Sequence, residues 1–367
     1  RAVEFSQRIG TTPFTAALLL HRGITSDEEA RAFLHPEKQP FHDPFLMRDM
    51  EKAVSRIEQA IEAQERIVVY GDYDVDGITA TSLLCRNLRH LGAAADYFIP
   101  HRQKDGYGLH KETLDEIIAG GARLIVTVDC GISAVEEAAA AKDKVDLIIT
   151  DHHLPGKELP EALAVIDPHR ADCAYPDKNI AGVGVAFKLC QALWQKMRGK
   201  AFTGDLDIVA LGTVADVVPL LGENRKIVQQ GLRVLKKSKR PGIQALLAVT
   251  ELQEKEITAG HIGFVLAPRL NAAGRLASAL RGVELLLTED GEEAQAIAEE
   301  LDAANRERQA VEQEILQAAE TQIAETAVKQ AHVLVLHGAL LPSDGHHRGR
   351  RRHRQGVVPQ HTRLPHV

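Results

Sequence analysis

Apolar residues in this chain fall into short β-branched runs separated by segments with apolar positions at helical spacing. Ile67, Val68, Val69 and Tyr70 form one such run, with the length and composition of a buried strand. Ahead of it, Met50 to Glu65 places Ala53, Ile57, Ala60 and Ile61 along one helical face. Beyond it, Ile78 to Leu91 reads as a helix, Asp96 to Pro100 as a strand, Lys111 to Ala119 as a helix and Arg123 to Val128 as a strand. Ser133 to Lys142 then reads as a helix and Val145 to Thr150 as a strand. This alternation predicts an α/β fold, a mainly parallel sheet with helices on both faces.

The flanks have other patterns. Residues 1–45 read as a helical lead-in, with an apolar run from Phe14 to His21, an N-cap at Thr25-Ser26-Asp27 and a proline-rich close. Asn179 to Lys188 is a glycine-rich turn opening a helix that runs to about Met197, whose first amides suit a phosphate or close packing on the sheet. Asp207 to Leu220 is an apolar helical segment. Glu292 to Ala327 contains no Gly or Pro and reads as one long helix joining two bodies, and His332 to His337 reads as the first strand of the second. The expected division is a lead-in over 1–45, a catalytic domain over 46–290, a connecting helix over 291–330 and an incomplete second domain over 331–367.

Three strand ends carry chemistry. The first run leads into Asp72, Asp74 and Asp76, closed by Gly77; Arg123–Val128 leads into Asp129; Val145–Thr150 leads into Asp151, His152 and His153. Ligands in such sheets bind beyond the carboxyl ends of the strands. Carboxylates this close repel one another unless a cation lies between them, and hard oxygen ligands suit Mg²⁺ or Mn²⁺ better than Zn²⁺. One acidic cluster alone reads as a turn or a helix cap; three at successive strand ends point to a metal site. Asp216 is isolated on its apolar helix and is expected to reach back to that site. Arg269 and Arg275 flank small residues in a segment suited to phosphate oxygens.

Composition narrows the class. With 44% hydrophobic residues in 367, the chain can fill a core for one large or two ordinary domains. Cys85, Cys130, Cys173 and Cys190 form no zinc-type spacing and read as buried thiols in a reducing compartment, the cytoplasm. No run is long and apolar enough for a membrane span. A net charge of −7 argues against a protein that coats duplex nucleic acid, though not against an enzyme with a local basic groove. The chain opens on Arg1, so a missing natural N-terminus is expected.

After Gly338 the pattern breaks: six arginines stand against the single Asp344, dense in histidine and without strand or helix period. A basic nucleic-acid tail is one reading. Out-of-frame translation is the other, and the one we favour, because Ile and Val codons shifted by one base yield His and Arg. Sequencing the gene decides between them: the frameshift reading requires an apolar strand in another frame after codon 338.

GDYDVDG at 71–77, VDCG at 128–131, DHH at 151–153 and ADVVP at 215–219 resemble the four motifs of the DHH phosphoesterase superfamily. PHRQKDGYG at 100–108, GVGVAFK at 182–188 and RLNAAGR at 269–275 narrow the resemblance to the RecJ exonucleases, over residues 1–338. The resemblance implies a DHH fold with a long connecting helix and a second domain. It implies two divalent cations, Mn²⁺ or Mg²⁺, held by Asp72, Asp74, Asp129, His152 and Asp216. His153 would stabilise the scissile phosphate, with Asp151 orienting it and Asp76 counted among the catalytic group. Arg102, Asn271 and Arg275 match backbone-phosphate positions. Tyr70 stands where some relatives have histidine, leaving one cation less fully coordinated or completed by water.

The implied activity is 5′-to-3′ hydrolysis of single-stranded DNA to 5′-mononucleotides in repair and recombination, by a monomer, with a single-strand-binding protein and a helicase as partners. Paired cations about 3.5–4 Å apart suit such in-line displacement without a protein nucleophile. The alternatives are a DHH phosphodiesterase acting on short oligonucleotides or cyclic dinucleotides, or a fragment that binds metal or single strands without cutting.

Overall fold

A computed structural model describes residues 1–101, 106–276, 279–325, 334–336 and 356–358. Five strands form one sheet: β1 (Arg66–Gly71), β2 (Ala94–Phe98), β3 (Leu124–Val128), β4 (Asp146–Thr150) and β5 (Ala164–Ile166). Their order is β2-β1-β3-β4-β5, and every pairing is parallel. The chain leaves β1 for β2 on one side and returns to β3 on the other. This reversal is where an open α/β sheet forms its ligand crevice.

Both faces are covered, as the unbroken apolar runs require. Ile67 and Val69 of β1 face the larger core, shared with the Met50–Glu62, Val75–Leu91, Gly182–Arg198 and Leu206–Ala215 helices. Val68 and Tyr70 face a smaller core with Leu114 of the Lys111–Ala119 helix and Ala138 of the Val135–Ala141 helix. The expected helices and four longer strands are present, with β2 starting at Ala94 rather than Asp96. In the lead-in, Ser26 caps the Asp27–Leu34 helix reciprocally with Glu29, and a small core forms around Phe5, Ala16 and Leu19.

Two differences bear on the site. β5 is not anticipated by the sequence pattern, since three apolar residues carry no period of their own. The apolar segment expected to be helical to Leu220 stops at Ala215, where Asp216 caps the helix and Val217 turns left-handed at φ 62°. The long helix spans Gly291–Glu325, close to expectation. The chain divides into compact units over Arg1–Asn305 and Arg306–Val367. In the second unit Leu334–Leu336 pairs antiparallel with Gly356–Val358, inside the tail where no strand is expected.

Candidate metal centre

Register puts the acidic residues in a row. Gly71 pairs with Val128, Val128 with Thr150, and Thr150 with Ile166. The next residues along the sheet edge are therefore Asp72, Asp129, Asp151 and Asp167, all buried. Asp129 occupies the left-handed region at φ 61°, a conformation Asp and Asn tolerate better than most residues. Asp74 caps the Val75–Leu91 helix, accepting from the backbone N–H of Asp76 at 2.9 Å and of Gly77 at 3.1 Å.

Asp76 reaches across to the glycine-rich helix start. Its carboxylate accepts from the N–H of Gly182 at 2.6 Å and of Val183 at 2.8 Å. Those amides, read from the sequence as a phosphate cradle or a packing device, are thus engaged by an internal carboxylate. Gly182 allows the approach, since a Cβ there would lie 2.5 Å from Asp129 Oδ1.

His152 sits where the strand ends and the Leu206–Ala215 helix meet. Its Nε2 lies 3.1 Å from Asp129 Oδ1, 3.6 Å from Asp216 Oδ2 and 3.8 Å from Asp76 Oδ2. Potential ligand atoms cluster within 4.8 Å of one another in three groups: Asp72, Asp74 and Asp129; Asp76, His152 and Asp216; Asp129, His152 and His153. Asp76, set apart from the ligands in the sequence reading, therefore shares their space, and Asp129 belongs to two groups.

The environment explains the protonation. Burial, with the charge of Asp74 beside it, pushes the Asp76 carboxyl up to about 7. Burial and the Asp76 charge raise Asp216 to about 7, and burial with Asp76 and Asp74 raises Asp129 well above the carboxylate range. Burial holds the His152 imidazole below its ordinary value. Asp151 is different: although burial pushes it up, hydrogen bonds from His153 and the backbone keep its carboxyl low. It accepts from Ile132 N–H at 2.9 Å and His152 N–H at 2.7 Å, and its Oδ1 lies 2.7 Å from His153 Nδ1. That bond raises the His153 imidazole to about 9.

These donors fit a hard divalent cation. Asp129 Oδ1, His152 Nε2 and Asp216 Oδ2 are buried without a hydrogen bond, an arrangement that is costly unless a cation takes up the free lone pairs.

Other expected site residues are placed less directly. Asn271 is half-buried on the Ala267–Leu276 helix, its Oδ1 without a hydrogen bond. Arg102 and the Arg275 side chain lie outside the described residues. Arg269 is anchored within the fold: its Nε pairs with Asp302 at 2.8 Å and its Nη1 donates to the Val265 carbonyl. Tyr70 is fully buried on the far face of β1 and donates to the Gly108 carbonyl at 3.0 Å. It braces the turn at Gly106 and Gly108, both left-handed, that brings Tyr107 Oη within 3.3 Å of His153 Nδ1. Sequence reasoning quoted Tyr107 in a motif without a role, and it passed over Asp167 altogether. Asp167 Oδ2 is buried without a hydrogen bond, and burial raises that carboxyl to about 7.

The family model described as "DHH family, N-terminal domain" matches residues 66–213. The chain is 43% identical over 333 residues to the single-stranded-DNA-specific exonuclease RecJ of Bacillus subtilis, covering 90% of this chain and 42% of that protein. A crystal structure of exonuclease RecJ bound to manganese superposes with a TM-score of 0.71 at 38% identity, covering 77% of this chain and 72% of that one. RecJ of Thermus thermophilus in complex with Mn²⁺ gives 0.75 at 35% identity, over 86% of this chain and 45% of that one. The chain thus spans about half the length of the curated relatives it matches.

Proposed function

The chain belongs to the DHH family, on the branch of the RecJ exonucleases, and from that premise we propose that it is the catalytic body of a 5′-to-3′ exonuclease acting on single-stranded DNA. The observation that carries the reading is the meeting of Asp72, Asp129, His152 and Asp216, drawn from separate loops, with Asp129 common to two ligand groups. Asp72, Asp74 and Asp129 would hold one cation and Asp76, His152 and Asp216, with Asp129 beside them, a second; Mn²⁺ or Mg²⁺ suits the oxygen donors. When bound, such a pair supplies charge neutralisation at the phosphate and a water acidic enough to attack it.

The rest falls to the side chains. Asp151 accepts a hydrogen bond from the His153 Nδ1–H, which leaves Nε2 of the half-exposed ring to donate to a phosphate oxygen. An imidazole held at about 9 remains protonated through neutral pH. Arg102, Asn271 and Arg275 are assigned to the strand backbone. Products would be 5′-mononucleotides, with roles in repair and recombination. A single-strand-binding protein and a helicase are the expected partners of a cytoplasmic monomer. Among the described residues no helix is long and apolar enough to cross a membrane.

The test is release of mononucleotides from a 5′-labelled single strand by the purified chain. Cleavage requiring Mn²⁺ or Mg²⁺ and lost in Asp129→Ala supports the reading. Equal digestion of blunt duplex, or full activity in chelator, overturns it. Preference for a dinucleotide over a long strand would instead mark a short-oligonucleotide phosphodiesterase, and binding without cleavage an inactive scaffold.

A further inference from the structure

Tyr107 has a fixed place beside the metal centre but no task in the proposed mechanism. Its turn is held from several sides. Gly106 and Gly108 are left-handed at φ 89° and 93°, a state closed to most side chains. Tyr70 donates from the buried far face of β1 to the Gly108 carbonyl at 3.0 Å. Leu109 is buried in the smaller core with Tyr70, and it packs so closely on the loop after β3 that a Cβ at Gly131 would lie 3.3 Å from its Cδ1. The turn is thereby tied to β1 and to the Asp129 loop, two of the places that carry the acidic row.

This turn sets a phenol against His153. Tyr107 Oη lies 3.3 Å from His153 Nδ1, and the two rings meet edge to face with centroids 5.8 Å apart and planes at 73°. The other bonds of Asp151 fix the direction of that contact. Its Oδ2 accepts from the Ile132 N–H at 2.9 Å and its Oδ1 from the N–H groups of His152 at 2.7 Å and His153 at 3.1 Å. Both oxygens therefore act as acceptors, and the hydrogen in the 2.7 Å bond between Asp151 and Nδ1 belongs to the imidazole. A protonated Nδ1 has no lone pair to offer a hydroxyl. Tyr107 Oη must accept, so the Nδ1–H is shared between a short branch to Asp151 and a longer one to Tyr107.

A single hydrogen bond fixes a ring at one atom only. Held by Asp151 alone, the half-exposed imidazole could swing about that bond and carry Nε2 with it. Misplacing a reacting group by about 1 Å costs on the order of 100-fold in rate. The His152 ring meets it at 4.4 Å between centroids, and Tyr107 adds a further restraint through both its ring and its hydroxyl.

We propose that Tyr107 is a positioning residue for His153, its ring and hydroxyl holding the imidazole on Asp151 in the orientation that presents Nε2 to the scissile phosphate. The identity of that substrate rests on the exonuclease reading; the restraint on the ring is a property of the chain with or without metal.

Two measurements test it. In the first, cleavage of a 5′-labelled single strand in Mn²⁺ is compared for the parent, Tyr107→Phe, His153→Gln and the double variant. Tyr107→Phe keeps the ring and the turn and loses the hydroxyl, so kcat should fall about three- to tenfold, the worth of one hydrogen bond, with KM unchanged. In the His153→Gln background the same substitution should change kcat by less than about twofold. In the second, nitrogen-15 NMR of the histidine side chains follows the metal-free chain. The His153 Nδ1–H signal, identified by its loss in His153→Gln, should shift in Tyr107→Phe while circular dichroism and melting temperature match the parent. The assignment is overturned if Tyr107→Phe leaves that signal, or the kcat of an active parent, unchanged. It is also overturned if Tyr107→Phe raises KM alone, which would mark a contact with the strand, or if its effect on kcat persists in full without His153. A parent chain that cleaves nothing would count against the exonuclease reading, and the Nδ1–H signal then decides the positioning role by itself.

Discussion

At Asp129 a left-handed backbone, near-complete burial and membership of two ligand groups coincide. Asparagine accepts that backbone and keeps the shape but removes the charge. Asp129→Asn should therefore stabilise the metal-free chain at pH 8, by on the order of 1 kcal/mol or more, and raise its melting temperature, while abolishing stabilisation by Mn²⁺. Scanning calorimetry with and without the ion checks both signs. The pH dependence follows from the same crowding. Asp76 and Asp216 have folded-state values raised from 3.8 to about 7, so the metal-free fold binds more protons than the unfolded chain and loses stability as pH rises between those values. Cation binding must displace those protons, so the gain in melting temperature from Mn²⁺ should grow from pH 5.5 to pH 8. A gain that shrinks with pH would show that these carboxyls are not the ligands. Asp72, Asp129 and the Asp151–His153 run were legible because each directly follows an apolar run. Asp167 was not, because the strand before it is too short to signal itself. Nor was the capture of the Gly182 and Val183 amides by Asp76, a contact between residues far apart in sequence.

The glycine-rich helix start is the element that sets how closely the strand ends approach. A methyl at Gly182 would meet the Asp129 carboxylate, whose Oδ1 lies 2.5 Å from the would-be Cβ. Gly182→Ala should thus cost about 1–3 kcal/mol through overpacking and weaken Mn²⁺ binding at least tenfold, read by calorimetry beside circular dichroism. The loop after the Leu206–Ala215 helix is a second such element. Val217 is left-handed and 85% exposed immediately after Asp216, a costly state for a β-branched residue. Val217→Gly should raise stability by about 1 kcal/mol in chemical denaturation, and unchanged stability would show that the turn is not strained. The sequence pattern carried the apolar segment on to Leu220 because Val217 and Val218 continue its hydrophobicity; the backbone reversal leaves no mark in composition. The ion pair of Arg269 was not legible for a related reason, since its partner Asp302 lies on another helix.

For the whole molecule, the order β2-β1-β3-β4-β5 explains why strand-end residues from Asp72 to Asp167 meet. The reversal beside β1 places the Asp72 and Asp129 loops together, and the register extends the row to Asp151 and Asp167. Strand alternation made that architecture readable, whereas the strand order had to come from the fold. Mn²⁺ titration of the purified chain, with metal content counted after gel filtration, checks whether these loops enclose a pair of cations with Asp129 shared between them. About two ions per chain are expected for the parent and fewer than one for Asp129→Asn. A parent chain that retains no ion, or a variant that retains both, would contradict it.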